Sequence, residues 1–192
     1  MQREIPPELA ERLRHAAGTF AEVGFDQARI EDISAATGVA SSTIYYYLTG
    51  KEGLLAFLLT DWLDTVATSV ERSLSGERTV RGGLAAVIGA HLRLMNDHPA
   101  TSRVLLAENG RIARLPKIAE AMQAAFHRPV EKVLRDGLDN GELRSVDAEA
   151  TAAAIYGALT FGGLHYLVVG RRIPDQLAES ITALVLDGIA EP

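Results

Sequence analysis

The chain has 192 residues, 47% of them hydrophobic and 23% charged, enough to bury the core of a globular protein of one or two domains. It has no cysteine, which excludes disulfides, thiolate metal sites and cysteine nucleophiles. The net charge of −6 runs against a general affinity for nucleic acid, whose phosphates attract Lys and Arg. The local pattern is different: no Asp or Glu occurs between Ile33 and Lys51, although Glu31, Asp32 and Glu52 crowd the flanks. A surface that lies against phosphates must first exclude carboxylates. The opening Met1-Gln-Arg-Glu-Ile-Pro-Pro has no apolar run behind its charges, and no unbroken apolar stretch reaches the roughly 20 residues of a spanning helix. A cytoplasmic protein with no membrane segment is expected.

Apolar residues recur at spacings of three and four, with almost no period-two alternation, so the elements read as helices throughout. The first starts at Pro6-Pro7, where proline is tolerated, buries Leu9, Leu13, Ala16, Ala17, Phe20 and Val23, and ends at Gly24. A short second helix runs from Ile30 to Thr37, with Glu31 and Asp32 at its positive end, and stops at Gly38. A third covers Ser41 to Leu48, with Ser41 or Ser42 as its cap, and Thr49-Gly50 breaks it. The fourth starts at Lys51 and carries Leu54, Leu55, Leu58, Trp62, Leu63 and Val66 inward. After the punctuation at 75–79, helices are expected near 79–96, 100–108, 116–139, 147–169 and 174–189, with Pro129 kinking or dividing the third of these. The fold class is all-α, about nine helices: a three-helix N-terminal domain over 1–50 and a helical bundle over 51–192.

Residues 30–51, IEDISAATGVASSTIYYYLTGK, place two short helices on either side of Gly-Val-Ala, the geometry of a helix-turn-helix. Ser34 is small enough for the helices to approach, Gly38 can adopt the left-handed turn, and Ile44 points inward. Successive helical residues turn by about 100°, so Tyr45, Tyr46 and Tyr47 cannot share one buried face. With Ile44 and Leu48 inward, Tyr46 points away and Tyr45 and Tyr47 flank it. Outward phenols suit phosphates and sugars, or alternatively a protein interface, where Tyr is also favoured. Ser41, Ser42 and Thr43 stand at the end of the helix that meets base edges, and Lys51 with the amides of the fourth helix forms an anion site.

These residues carry a resemblance. Asp32-Ile33-Ser34, Gly38-Val39-Ala40, Thr43-Ile44-Tyr45-Tyr46-Tyr47-Leu48 and Lys51, preceded by Thr19-Phe20 and Gly24-Phe25, resemble the DNA-binding domain of the TetR family of bacterial transcriptional regulators over about residues 9–59. The departures are Ala40 for a hydroxyl residue, Ser41-Ser42 where Lys-Gly is frequent, Tyr47 for His and Leu48 for Phe. They bear on which operator is read and leave the fold intact. The resemblance implies that Tyr45, Tyr46, Tyr47 and Lys51 touch the DNA backbone and that Ser41, Ser42 and Thr43 lie at or near bases. It also implies a homodimer on a palindromic double-stranded operator, a repressor released by a small, mostly apolar effector, and a C-terminal cavity enclosed by the helices of Trp62, His91, Met95, Met122, Phe126 and Tyr156. The cations available to DNA are few: Lys51, Arg29 and, further off, Arg3, Arg12 and Arg14. A shallow salt dependence follows.

The other patterns are quiet. His127 and Glu131, four apart on one helix face, suit a solvated ion pair better than a metal. Neither Glu-x-x-His nor His-Glu-x-x-His occurs, Gly162-Gly163 follows no strand, and no acid/base pair or nucleophile stands out. No enzyme, cofactor or metal is expected. Gly157, Gly162 and Gly163 thin one helix for a close approach, across a two-fold axis among the options, and helices 147–169 and 174–189 are expected to form the dimer.

Overall fold

The structure, a computed structural model, describes residues 4–112 and 115–189. Its elements follow the Gly and Pro punctuation closely: α1 (Pro7–Arg14), α2 (Ala16–Val23), α3 (Ile30–Thr37), α4 (Ser41–Tyr47), α5 (Lys51–Leu74), α6 (Val80–Asp97), α7 (Pro99–Ala107), α8 (Asn109–Ile112), α9 (Pro116–Met122), a π-helical turn (Gln123–His127), α10 (Arg128–Asp139), α11 (Ala148–Leu167) and α12 (Gln176–Ile189). Among the described residues there is no β-strand, and joining the segments that follow one another directly leaves nine helical runs. Breaks at His15, Glu108 and the π turn divide three of them. The last lies just ahead of Pro129, whose missing N–H disrupts the α-helical ladder behind it.

The chain forms two compact units. The first holds the residues up to Trp62 and those of Ala100–Ala119; the second holds Leu63–Pro99 and Glu120 onward. The helix α5 thus contributes to both. Among the described residues α5 alone is long and apolar enough to cross a membrane, yet 44% of its apolar window is buried within the protein, and Asp61 in it pairs with Arg14 at 2.8 Å.

In the first unit α3 packs on α1, α2 and α4 around fully buried Leu13, Ala16, Ile33 and Ile44. In the second, α6 is held by α10, α11 and α12, with Leu84, Val87, Ile88 and Ala90 fully buried along it. Thr79 caps α6 by accepting from the Gly82 amide at 3.1 Å, and Asp147 caps α11 through Ala150 at 3.0 Å. Gly137 lets α10 close on α6, since a Cβ there would stand 2.3 Å from Val80.

Two of the α11 glycines face close neighbours within the chain. A Cβ at Gly163 would meet Met95 at 2.7 Å and Ile173 at 3.2 Å, and one at Gly162 would face Leu177. Both therefore serve packing inside one chain, and only Gly157 opens onto empty space.

Candidate nucleic-acid interface

The turn between α3 and α4 is built as its residue types require. Gly38 has φ 65° and ψ 15°, left-handed values that favour glycine. Thr37, buried, donates to Ile33 O at 2.8 Å and accepts from the Val39 amide at 3.2 Å, which satisfies the turn. The Arg12 guanidinium covers the end of α3, donating to the carbonyls of Thr37 and Gly38. Ile44 and Leu48, at 0% and 2% exposed, fix the inward edge of α4.

One expectation for α4 is corrected. The N-cap position belongs to Ala40, with no side-chain cap bond; Ser41 and Ser42 lie inside the first turn, where neither acts as the cap. Ser42 is exposed, and Ser41 and Thr43 are half-buried. Tyr46 is outward, 56% exposed, and Tyr45 is 61% exposed, while Tyr47 is half-buried with its ring edge-on to Tyr46 at 4.9 Å. The Tyr45 ring lies over Gly50, whose φ of 79° turns the chain into α5.

Lys51 has work within the protein. Its Nζ donates to the carbonyls of Phe25, Asp26 and Ala28 at 2.9, 2.9 and 3.3 Å and sits 4.7 Å above the Phe25 ring. From the same unit Arg111 stacks on Phe25 at 4.3 Å and pairs with Asp26 at 3.0 Å. Two cations thus hold the loop that leads into α3. Arg14 is likewise engaged with Glu11 and Asp61, and Arg3 lies outside the described residues. Arg29 is exposed at the N-cap position of α3.

Of the cavity residues suggested by the sequence, the second unit brings three together. The His91 ring stacks on Phe126 at 4.6 Å, and Phe126 meets Tyr156 at 4.9 Å. His127 closes on the other side of Tyr156 at 4.9 Å, a neighbour the sequence reading did not include. Burial raises the Tyr156 pKa and lowers that of His127. Met95 is buried against Gly163, Met122 is half-buried, and Trp62 is buried in the first unit. The carboxylate of Glu131 accepts from Arg135, and among the described residues no three His, Asp or Glu side chains gather as a metal site.

Two family models match the chain. Residues 13–57 match the bacterial regulatory proteins of the tetR family, and residues 77–189 match the tetracyclin repressor-like C-terminal domain, more than half of the sequence. The chain belongs to the TetR family. It is similar to the fatty acid metabolism regulator protein of Bacillus subtilis, 25% identical over 95% of this chain and 96% of that one. It is also similar to the transcriptional repressor KstR2 of Rhodococcus jostii, 25% identical over 95% of this chain and 91% of the other. Among solved structures it resembles the fatty acid degradation regulator FadR of Bacillus halodurans, with TM-score 0.85, 21% identity and 96% and 97% of the chains covered. FadR of Bacillus subtilis, in complex with stearoyl-CoA, matches with TM-score 0.82, 22% identity and 93% and 97% covered. As a TetR-family member the protein is a ligand-responsive, DNA-binding transcriptional regulator.

The sequence reading of this TetR-family head missed Arg111 and the structural use of Arg12 and Lys51. Their long-range partners are main-chain carbonyls, the Asp26 carboxylate and a Phe ring 23 to 86 positions away, and no spacing rule signals such pairs.

Proposed function

We propose that the protein is a cytoplasmic homodimeric repressor that binds a palindromic operator through two copies of α4 and releases it when an apolar effector occupies the second unit. One observation carries the DNA reading: α4 has a single buried edge, Ile44 and Leu48, and turns Ser42, Tyr45 and Tyr46 outward from a stretch free of carboxylates. Tyr45, Tyr46 and Tyr47 serve phosphates and sugars, and Ser41, Ser42 and Thr43 stand at base edges. Arg29 supplies a cation, whereas Lys51 acts by holding the loop before α3.

The dimer reading rests on α11 and α12. α11 is rich in apolar residues and leaves Phe161 70% exposed; Val168, just past its end, is 66% exposed and Leu184 on α12 is 75% exposed. Apolar side chains in that number seek a cover, and a second copy of the same face supplies one. The effector reading rests on the uncharged aromatic cluster around Phe126 and on the names of the relatives, whose ligands include stearoyl-CoA. An acyl chain or fused-ring skeleton matches that lining.

A gel shift with the DNA upstream of the protein's own gene tests the first claim: wild type retards it, and Tyr46→Phe does so more weakly. Failure to retard that DNA or any duplex at low salt sinks the reading. Sedimentation tests the second, with a dimer for wild type and a monomer for Phe161→Glu combined with Leu184→Glu.

A further inference from the structure

His91 sits on α6 at 2% exposure, face to face with Phe126. Its Nδ1 is 2.8 Å from the carbonyl oxygen of Val87, one turn back. The carbonyls of Val87 and Ala125 both favour a charged ring, yet burial outweighs them and lowers the pKa to about 4. At neutral pH the imidazole therefore holds one proton, and the bond to Val87 keeps it on Nδ1. Nε2 is left as a lone pair, buried and with no hydrogen-bond partner. The carbonyl of Ala125, in the π turn, also acts on the ring. Pro129, four residues on, has no N–H to offer that carbonyl. Nε2 is thus a buried acceptor that lacks a donor.

We propose that His91 Nε2 is a polar reading point that selects an effector by a hydroxyl or N–H group on an otherwise apolar skeleton. The inference rests on the effector reading above and adds the chemistry of the group recognised. A donor supplies what Nε2 lacks, while an ether or ketone oxygen at the same place adds a second acceptor. The surroundings suit an apolar body, since Phe126 and Tyr156 give flat walls. Room can be made without breaking a helix. Met95 lies one turn beyond His91 on the same face of α6, with its methyl against Gly163, and a methionine end group repositions at little cost. Wide π turns recur at functional sites because they re-aim carbonyls in this way.

The test uses full-length 15N-labelled protein and two probes, 1-decanol and 2-naphthol, each against its methyl ether. Imidazole 15N spectra at pH 7 are expected to show His91 protonated on Nδ1 and bare on Nε2. Each alcohol should shift the Nε2 resonance in the direction of an accepted hydrogen bond and bind about tenfold more tightly than its ether, the effect of one buried hydrogen bond. His91→Phe, which keeps the stack and removes the acceptor, should bring each pair to equal affinity. A proton on Nε2, equal binding of alcohol and ether by the wild type, or no binding of either overturns the proposal. Operator release is scored separately. Alcohol bound at His91 without release supports the reading point and sinks the effector role, whereas release by a compound that leaves His91 unmoved sinks the reading point alone.

Discussion

Replacing Lys51 with Met separates two roles that one lysine can hold in a DNA-binding head. Met keeps the aliphatic stem and the helical propensity of α5 and removes the ammonium. The structure gives that ammonium three carbonyl acceptors at 2.9, 2.9 and 3.3 Å and an aromatic face at 4.7 Å. A charge-assisted hydrogen bond contributes about 1.5–3 kcal/mol and a cation–π contact about 0.5–1 kcal/mol, and neighbouring terms do not add fully. With Lys51 only half-buried, a loss of about 3 kcal/mol is expected, which for a chain of this size lowers the melting temperature by roughly 6–12 °C. The second readout is the salt dependence of duplex binding, followed by fluorescence anisotropy from low to physiological salt. A lysine on a phosphate carries a slope of about 0.9 per contact; one turned inward carries none. Lys51→Met should therefore melt early with its slope unchanged, while Arg29→Met should keep its stability and lose slope. A Lys51→Met protein that melts like wild type and loses about one counterion per subunit refutes this assignment.

Tyr46→Phe should weaken operator binding with thermal stability within about 0.5 kcal/mol of wild type, because the side chain is 56% exposed; parallel melting and gel-shift measurements check both. His91 makes the second unit sensitive to acid. Its folded pKa, lowered to about 4 by burial, lies below the roughly 6.5 of an unfolded chain, so the contribution is complete above pH 6.5 and declines as pH falls towards 4, by about 3 kcal/mol in total. Urea midpoints at pH 7 and pH 5 should fall less for His91→Phe than for wild type. The glycines of α11 should respond in opposite senses to alanine: Gly163→Ala, whose Cβ would stand 2.7 Å from Met95, costs roughly 1–3 kcal/mol by denaturant titration. Gly157→Ala, with open space around it in the single chain, gains about 1 kcal/mol of helix stability in the Phe161→Glu, Leu184→Glu monomer.

The helices and the turn of the DNA-binding head were legible because their determinants are local. Gly38 at a helix end, Pro7 at a helix start and the pair Ile44 and Leu48 one turn apart each announce their geometry within a few residues. The cap of α4 was misplaced because two serines after an alanine look like cap residues, and only the backbone shows that the helix has already begun at Ser41. The tertiary partners were out of reach for a different reason. Arg12, Lys51 and Arg111 are cations of the kind that DNA attracts, and main-chain carbonyls and a phenyl face compete for them without leaving a pattern in the sequence. Of the six residues named together for a cavity, His91, Phe126 and Tyr156 are in ring contact, and the π turn was read only as a kink or division at Pro129.

The seat on Phe25 and Asp26 sets a limit on modular engineering. Hybrid regulators are made by grafting the reading head of one protein onto the sensor of another, with a natural splice before Lys51. Such a graft here would bring in a foreign loop at 25–28 and leave Lys51 and Arg111 to dock on whatever it offered. A hybrid that keeps Phe and Asp at 25 and 26, or imports residues 100–119 with the head, should inherit the donor's grip on DNA; one spliced at 50 alone should fold with its head misset.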